Sequence, residues 1–419
     1  VALIDRLFER RAISPQTLFR TGADTLDYGL TSAGVSVTAD TALNYSGIWA
    51  CVRLLASDIS TLPVDAFRRV GESRLLLTPQ PSWLRTPDPL DPSITRIDHF
   101  AQVAISLLLD GNAFILATPF VGSAARLEVL NPRRVEVKKP SGAPEYHVRD
   151  PRGGVADVLS PIEVIHVKIN AKPGALRGMS PIDANQGSIG ISLAAQKWVE
   201  RFFAQGAMMP GFIEVPIGAA PTSIQEMRDD LQKRNGGWKR AGLLGFLTDG
   251  SKYTRTGITP QDADLANIFR HQLEEGARIY GIPPFMVGSQ EPAGVAYASS
   301  VERSQHYIDH CLIHYIAPIE AAYDRMVPGD QRLRDSGSDT YLKFNLNALL
   351  KGDPAARVAF YKGMFEIGGL SPDEIRSKEE MAPLANGLGK DHYYPSANFT
   401  PLGTVPATPG TATPTGVPQ

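Results

Sequence analysis

Between Asn44 and Pro63, apolar residues recur at Ile48, Cys51, Val52, Leu55 and Ile59, a spacing of three and four that predicts a helix with one buried face. Asn44 is a residue type suited to cap its start, and Pro63 ends it. A second stripe, Ile94, Ile97, Phe100, Ala104, Leu107 and Leu108, predicts a helix capped by Ser93 and stopped at the turn Asp110-Gly111-Asn112. The pattern then shortens. Strands are expected at Ala113 to Ala117, Arg126 to Leu130, Val135 to Lys138, Glu145 to Val148 and Val164 to Ile169. Turns at Asn131-Pro132, Ser141-Gly142 and Arg152-Gly153-Gly154 separate them, so this half reads as a helix-flanked meander of the α+β class.

Helical spacing returns at Ser180-Pro181 and runs to Ala204, with Ile191, Ala195, Trp198 and Phe202 on one face. Gly187 and Gly190 inside it are either weak points or places where another backbone comes close. From Met208 to Gly257 the elements are short: a strand at Phe212 to Val215, a charged helix from Ser223 to Arg234, and a hairpin-like pair at Leu243 to Leu247 and Tyr253 to Arg255. A helix from Asp262 through Phe269, Leu273 and Ile279 to Gly281 ends at Pro283-Pro284. After a Gly-rich loop, Gly288 to Gly294, a long helix is expected from Ser299 to Met326, its stripe formed by Ile308, Leu312, Tyr315 and Ile319 and its kink placed at Pro318. One strand (Tyr341 to Asn345) and two short helices (Pro354 to Ile367 and Ser371 to Met381) follow, the second with Ser371 and Glu374 at capping-box spacing.

Composition narrows the class. With 43% hydrophobic and 21% charged residues, 419 residues can bury one or two sizeable cores, which excludes the disordered and fibrous classes. The longest apolar runs, Ile105 to Leu109 and Phe114 to Ala117, are far short of the roughly 20 residues of a membrane span, and the charged N-terminus lacks a secretory core. Cys51 and Cys311 are too few for a disulfide framework and read as small buried hydrophobes. The first 40 residues read as an arm with little core of its own, and the Pro, Thr and Gly-rich tail after Phe399 as disordered. A formal net charge of -2 argues against a subunit that grips DNA through many phosphate contacts.

The sequence offers little chemistry. It has no GxSxG elbow, no GxxxxGK[ST] phosphate loop, no GxGxxG after a strand, no HExxH and no CxxC. Glu302, His306, His310 and His314 recur every fourth residue and share one helix side, roughly opposite the Ile308 and Leu312 stripe. Four ligands along one straight helix cannot surround a single ion, so the choices are two adjacent ligands completed by a neighbouring molecule, or a polar face; a metal-dependent hydrolase built on them is the alternative from the enzyme class. Arg228, Lys233, Arg234, Lys239 and Arg240 oppose only Glu226, Asp229 and Asp230. They form a wet surface or, repeated around a ring, a charged collar.

Seven stretches in order carry a resemblance. They are Tyr45-Ser46-Gly47-Ile48-Trp49-Ala50-Cys51-Val52-Arg53 through Ile59-Ser60-Thr61-Leu62-Pro63; Leu107 to Leu116, reading LLLDGNAFIL; and Arg177-Gly178-Met179-Ser180-Pro181-Ile182. Then come Phe202-Phe203 with Gly206-Ala207, Ile279-Tyr280-Gly281-Ile282-Pro283-Pro284, Pro318-Ile319-Glu320, and Gly368-Gly369-Leu370-Ser371-Pro372-Asp373-Glu374-Ile375-Arg376. Together they span Asn44 to Ala385 and resemble the portal, or head-to-tail connector, proteins of tailed double-stranded DNA bacteriophages, in the compact siphophage-type branch. The arm and the tail match nothing in that family.

The resemblance implies a non-enzymatic subunit without a cofactor that closes into a ring, a homododecamer, at one capsid vertex of the virion after assembly in the host cytoplasm. It implies an N-terminal arm (1–43), a wing of helices and β-meander (44–180), two stem helices (181–207 and 259–282) flanking a clip (208–258), a tunnel loop (283–298), a long kinked helix (299–330), a wing strand with a small crown (331–399) and a tail (400–419). The clip's basic residues Arg228, Lys233, Arg234, Lys239 and Arg240 would dock the large subunit of the terminase motor and later the head-tail adaptor; the major capsid protein or scaffold is a further partner, and no membrane is involved. Ser289, Gln290, Glu291, Pro292, Ala293 and Gly294 would face DNA at the narrowest belt of the channel, a short polar lining suited to letting a duplex slide. Another head-tail adaptor component of the virion is the alternative within structural proteins.

Overall fold

The computed structural model describes residues 31–119, 125–140, 142–150, 154–204, 211–214, 252–255, 265–289, 305–324, 340–346, 348–349, 354–379, 381–387 and 389–390. They fall in two compact units, one from 1–298 with 305–345 and one from 299–304 with 346–419. The architecture of the first is α+β, as the spacing of apolar residues implies.

Its helical core is the Ser46–Thr61 helix packed against Arg96–Asp110 on one side and Leu265–Tyr280 on another. Ile48, Cys51, Val52, Leu55 and Ile59 are all buried, as their period requires. The start of this helix differs from expectation. Thr38 and Thr41 form a capping box for a separate short helix, Ala39–Leu43, and Asn44 closes that helix by donating its N–H to Thr41 and Ala42 carbonyls. Val35, Val37, Ala39 and Ala42 are buried, so the described part of the arm does contribute core. The Arg96–Asp110 helix is capped by Thr95 and not by Ser93: Thr95 Oγ1 accepts from the Asp98 N–H, and the Asp98 carboxylate accepts from the Thr95 N–H. Ser93 instead donates its hydroxyl to Asp91. Ile97, expected in the apolar stripe, is exposed, whereas His99 takes an interior position.

Among the described residues the strands form separate antiparallel sheets, one of them a three-stranded meander, and not a single meander running through all of them. Asn112–Pro119 lies between Ala125–Leu130 and Val164–Lys168, and Glu145–Arg149 lies between Val135–Lys138 and Val155–Leu159. Phe114, Leu130, Val135, Tyr146, Val148, Leu159 and Val164 from both sheets bury one another in a single cluster. A third sheet, whose first strands the pattern did not disclose, sets Val64–Val70 between Ser73–Leu76 and Thr340–Phe344, with Val64 opposite Phe344. Glu320 fastens this late strand to the Ile313–Tyr323 helix, its carboxylate accepting from Lys343 Nζ at 2.6 Å and the Phe344 N–H at 2.8 Å.

Gly211–Glu214 pairs with Lys252–Arg255; the Leu243 to Leu247 segment expected to form a hairpin-like pair with Tyr253 to Arg255, and the helix expected from Ser223 to Arg234, lie outside the described residues. In the long helix, the irregular winding falls at Ile308–Leu312, a π-helical turn ahead of Pro318. The second unit, taken by itself, holds the helices Pro354–Glu366 and Pro372–Lys378, the latter opened by the reciprocal Ser371 and Glu374 capping box.

Candidate functional site

Two of the quoted stretches, Leu107 to Leu116 and Arg177 to Ile182, meet at one polar junction. Gly111 ends the Arg96–Asp110 helix in the left-handed region (φ 75°), and a Cβ there would stand 2.2 Å from the Met179 carbonyl oxygen. Gly178 faces it: a Cβ would lie 2.3 Å from the Gly111 oxygen and 2.4 Å from that of Ile169. With both side chains reduced to hydrogen, two backbones touch. Asn112, buried between them, accepts at Oδ1 from the Gly178 N–H (2.6 Å) and from His166 Nε2 (3.1 Å), and its Nδ2 reaches the Gly178 carbonyl at 3.1 Å. Arg177 crosses the junction. Its guanidinium donates to Asp110 Oδ1 at 2.5 Å and to the Pro132 and Val135 carbonyls, and lies 5.2 Å from the centre of the Phe114 ring.

His166 stacks on Phe114 at 4.3 Å between centroids. Burial, reinforced by the positive charges of Lys168 and Arg177, pushes its pKa down to about 3, so it is the neutral ring that gives its Nε2 proton to Asn112. Burial also raises the Asp110 carboxyl above its usual range, and Arg177 only partly offsets this. Every polar atom named here has a partner, and the geometry braces helix against strand.

The helix pair expected to flank a channel is Gln186–Ala204 and Leu265–Tyr280, the former separated by Asn185 from a short Pro181–Ala184 turn. A buried Ser192 hydroxyl meets Gln272 Oε1 at 2.5 Å between the two helices. Gly276 packs on Gly47 of the Ser46–Thr61 helix, where a Cβ would sit 3.7 Å from the Gly47 carbonyl carbon. Of the two glycines in Gln186–Ala204, Gly190 is held against the Thr31 side chain, whereas Gly187 has open space. On this helix Ile189, Ser192 and Leu193 are buried, whereas Ala195 is half-buried, Ile191 is 50% and Trp198 40% exposed.

The Leu265–Tyr280 helix ends on Gly281 (φ 73°), with the Ile282 N–H returning to Ala277 and the Gly281 N–H to Arg278. The Tyr280 carbonyl, left over by the helix, accepts from Cys311 Sγ at 3.4 Å and the Tyr315 hydroxyl at 3.3 Å, and the Tyr280 hydroxyl donates to Leu108. Nearby, Tyr307 donates to Asp58 at 2.7 Å. Burial raises the Asp58 carboxyl and lifts both thiols, Cys51 and Cys311, to about 12, which suits unreactive interior groups. The helix terminus leading to the 283–298 segment is thus braced from behind by three elements.

Of the six residues expected at the tunnel loop, Ser289 is described; its hydroxyl donates to Glu274 Oε1 at 3.0 Å. Gln290, Glu291, Pro292, Ala293 and Gly294 lie outside the described residues, as do Arg228, Lys233, Arg234, Lys239, Arg240 and Glu302. His306, His310 and His314 are exposed on the side opposite Ile308 and Leu312, as their spacing implies. Among the described residues no three His, Cys, Asp or Glu side chains gather in a way that could hold a metal ion, and no helix is long and apolar enough to cross a membrane. Asn112 and Gly178 were not singled out from the sequence as functional; the close-packed glycines in the quoted stretches were the only available signal.

This is an α+β framework whose polar interior braces one helix against the next. The chain belongs to the phage portal protein family, whose description, "Phage portal protein", matches residues 46–380. It is 30% identical over 372 residues to the probable portal protein of Streptomyces phage phiC31, covering 87% of this chain and 80% of that one. It is 28% identical over 380 residues to the portal protein of Enterobacteria phage HK97, covering 88% and 86%. The fold is similar to that of a chain in the neck of a native gene transfer agent particle computed with C12 symmetry, with TM-score 0.52, 22% identity and 82% and 94% of the two chains covered.

Proposed function

We propose that this portal protein closes into a twelve-membered ring at one capsid vertex of the virion, through which the genome is packaged and ejected, and that it does so without catalysing a reaction. The observation that carries the ring is the partly exposed apolar side of Gln186–Ala204. Ile191 and Trp198, two turns apart, are 50% and 40% exposed on a helix that already buries Ile189 and Leu193, and a second copy of the chain would cover what remains exposed. The C12 symmetry of the similar neck structure supports the subunit number.

In this reading 44–180 is the wing, 181–207 and 259–282 are the stem, 208–258 is the clip that meets the terminase large subunit and then the adaptor, and 331–399 adds a wing strand and crown. Arg228, Lys233, Arg234, Lys239 and Arg240 form the docking collar. The loop 283–298 lies against the passing duplex. The major capsid protein or scaffold holds the ring in the shell, which assembles in the host cytoplasm. Ser289, in that loop, donates its hydroxyl to Glu274 of the second stem helix. Electron microscopy of the purified chain should show rings with a central hole, and Ile191→Asp with Trp198→Asp should leave folded single chains. Rings of undiminished yield from the double variant would defeat the assignment of this face. Deleting Glu291 to Gly294 should impair packaging or DNA retention, and a phage indifferent to the deletion would remove the loop's role.

A further inference from the structure

The histidine face of the Gln305–Tyr323 segment has no part in the ring argument, and the structure divides its three described members. His306 and His310 lie with ring centroids 4.5 Å apart and planes inclined by 53°. His314 is set edge-on to Tyr315 at 5.4 Å. We propose that His306 and His310 form a two-imidazole chelate for a divalent transition-metal ion of the nickel, copper or zinc class.

The backbone favours this pair for a local reason. At about 100° per residue, positions four apart in an α-helix are offset by about 40° around the axis. The π-helical turn at Ile308–Leu312 winds more slowly, with hydrogen bonds reaching one residue further, and so brings position 310 more nearly above position 306. Tyr307, Ile308, Cys311 and Leu312 are buried, which holds the intervening turn from behind, while both imidazoles stand in solvent. A chelate whose backbone is fixed loses little freedom on binding.

The donor set selects the ion. Paired imidazole nitrogens suit nickel, copper and zinc, whereas magnesium and calcium prefer oxygen donors. Asp309, the carboxylate beside the pair, is bonded at both oxygens by Gln305 Nε2, at 2.9 and 3.0 Å. Two protein ligands leave the remaining coordination positions to water or to donors of another molecule, so the site is open and exchangeable.

The test is isothermal titration calorimetry of the untagged full chain with NiCl2 and ZnCl2, with MgCl2 for comparison. Saturable binding of one nickel or zinc ion per chain is expected, weakened at least about tenfold by either His306→Ala or His310→Ala. His314→Ala and His271→Ala should leave the isotherm unchanged. Both targeted positions are exposed and alanine is the best helix former, so the variants should keep the far-UV circular dichroism of the parent. The proposal is overturned by an unaltered chain that takes up no nickel or zinc, by undiminished binding in the His306→Ala, His310→Ala double variant, or by magnesium binding of the same strength.

Discussion

The junction around Asn112 and the outer face of the Gln186–Ala204 helix are opposite kinds of surface in one unit. The junction is polar and interior, and its own chain completes it: two glycine backbones in contact, an amide with its oxygen fully used, a guanidinium shared among a carboxylate and two carbonyls. The helix face is apolar and partly exposed, with Ile191 at 50% and Trp198 at 40% although the same helix buries Ile189 and Leu193. A surface of the first kind carries stability and depends on nothing outside the chain. A surface of the second kind adds little to the single chain and acquires its energy when another copy arrives.

The sharpest break of that contrast is Gly178→Ala. The new methyl would lie 2.3 Å from one carbonyl oxygen and 2.4 Å from another, both backbone, so neither can swing aside. A loss of at least about 3 kcal/mol is expected, read from urea unfolding of the isolated chain.

Acid should act on the same junction. The folded pKa of His166 is depressed to about 3, below the ordinary 6.5, so the neutral ring stabilises the fold fully above pH 6.5. As pH falls below 6.5 the unfolded chain binds the proton first, and the loss grows until the folded pKa is reached. Between pH 7 and pH 4 this single group should cost about 3 kcal/mol, and His166→Gln, which keeps a donor for Asn112, should flatten the acid limb of a plot of stability against pH. An unchanged acid limb would mean that the ring is not held neutral.

Asn112→Ala should cost about 2 kcal/mol, since it strands the Gly178 N–H and the His166 donor in the interior. At the other end of the scale, Ile191→Ser, at a half-exposed position, should lower the unfolding free energy of the single chain by no more than about 1 kcal/mol while lowering the fraction of chain found in rings by size-exclusion chromatography. If Ile191→Ser destabilised the monomer as strongly as Asn112→Ala, the two surfaces would not differ in the way described.

Much of this was legible in residues alone. The stripe from Ile48 to Ile59, the strand Val135–Lys138 and the Ser371 to Glu374 capping box all lie where local spacing puts them, because each depends on contacts within one or two turns. Thr95 caps the Arg96–Asp110 helix in place of the expected Ser93 because it alone of the two has an acidic residue three positions on, Asp98, to complete the reciprocal bonds. Of the tunnel-loop residues read from the resemblance, Ser289 lies among the described residues, its hydroxyl bonded to Glu274.

The sequence by itself determined the periodicities, the stops at Gly111 and Gly281, and the order of stretches that the portal family shares. Periodicity states that a helix has an apolar face without stating which neighbour covers it, so the outward turn of Ile191 and Trp198 was decided in three dimensions. The same holds for the pairing of Val64–Val70 with Thr340–Phe344 and for the meeting of Gly111 with Gly178. Such contacts join segments far apart along the chain, and their energy comes from packing and hydrogen-bond geometry that no local pattern of residues encodes.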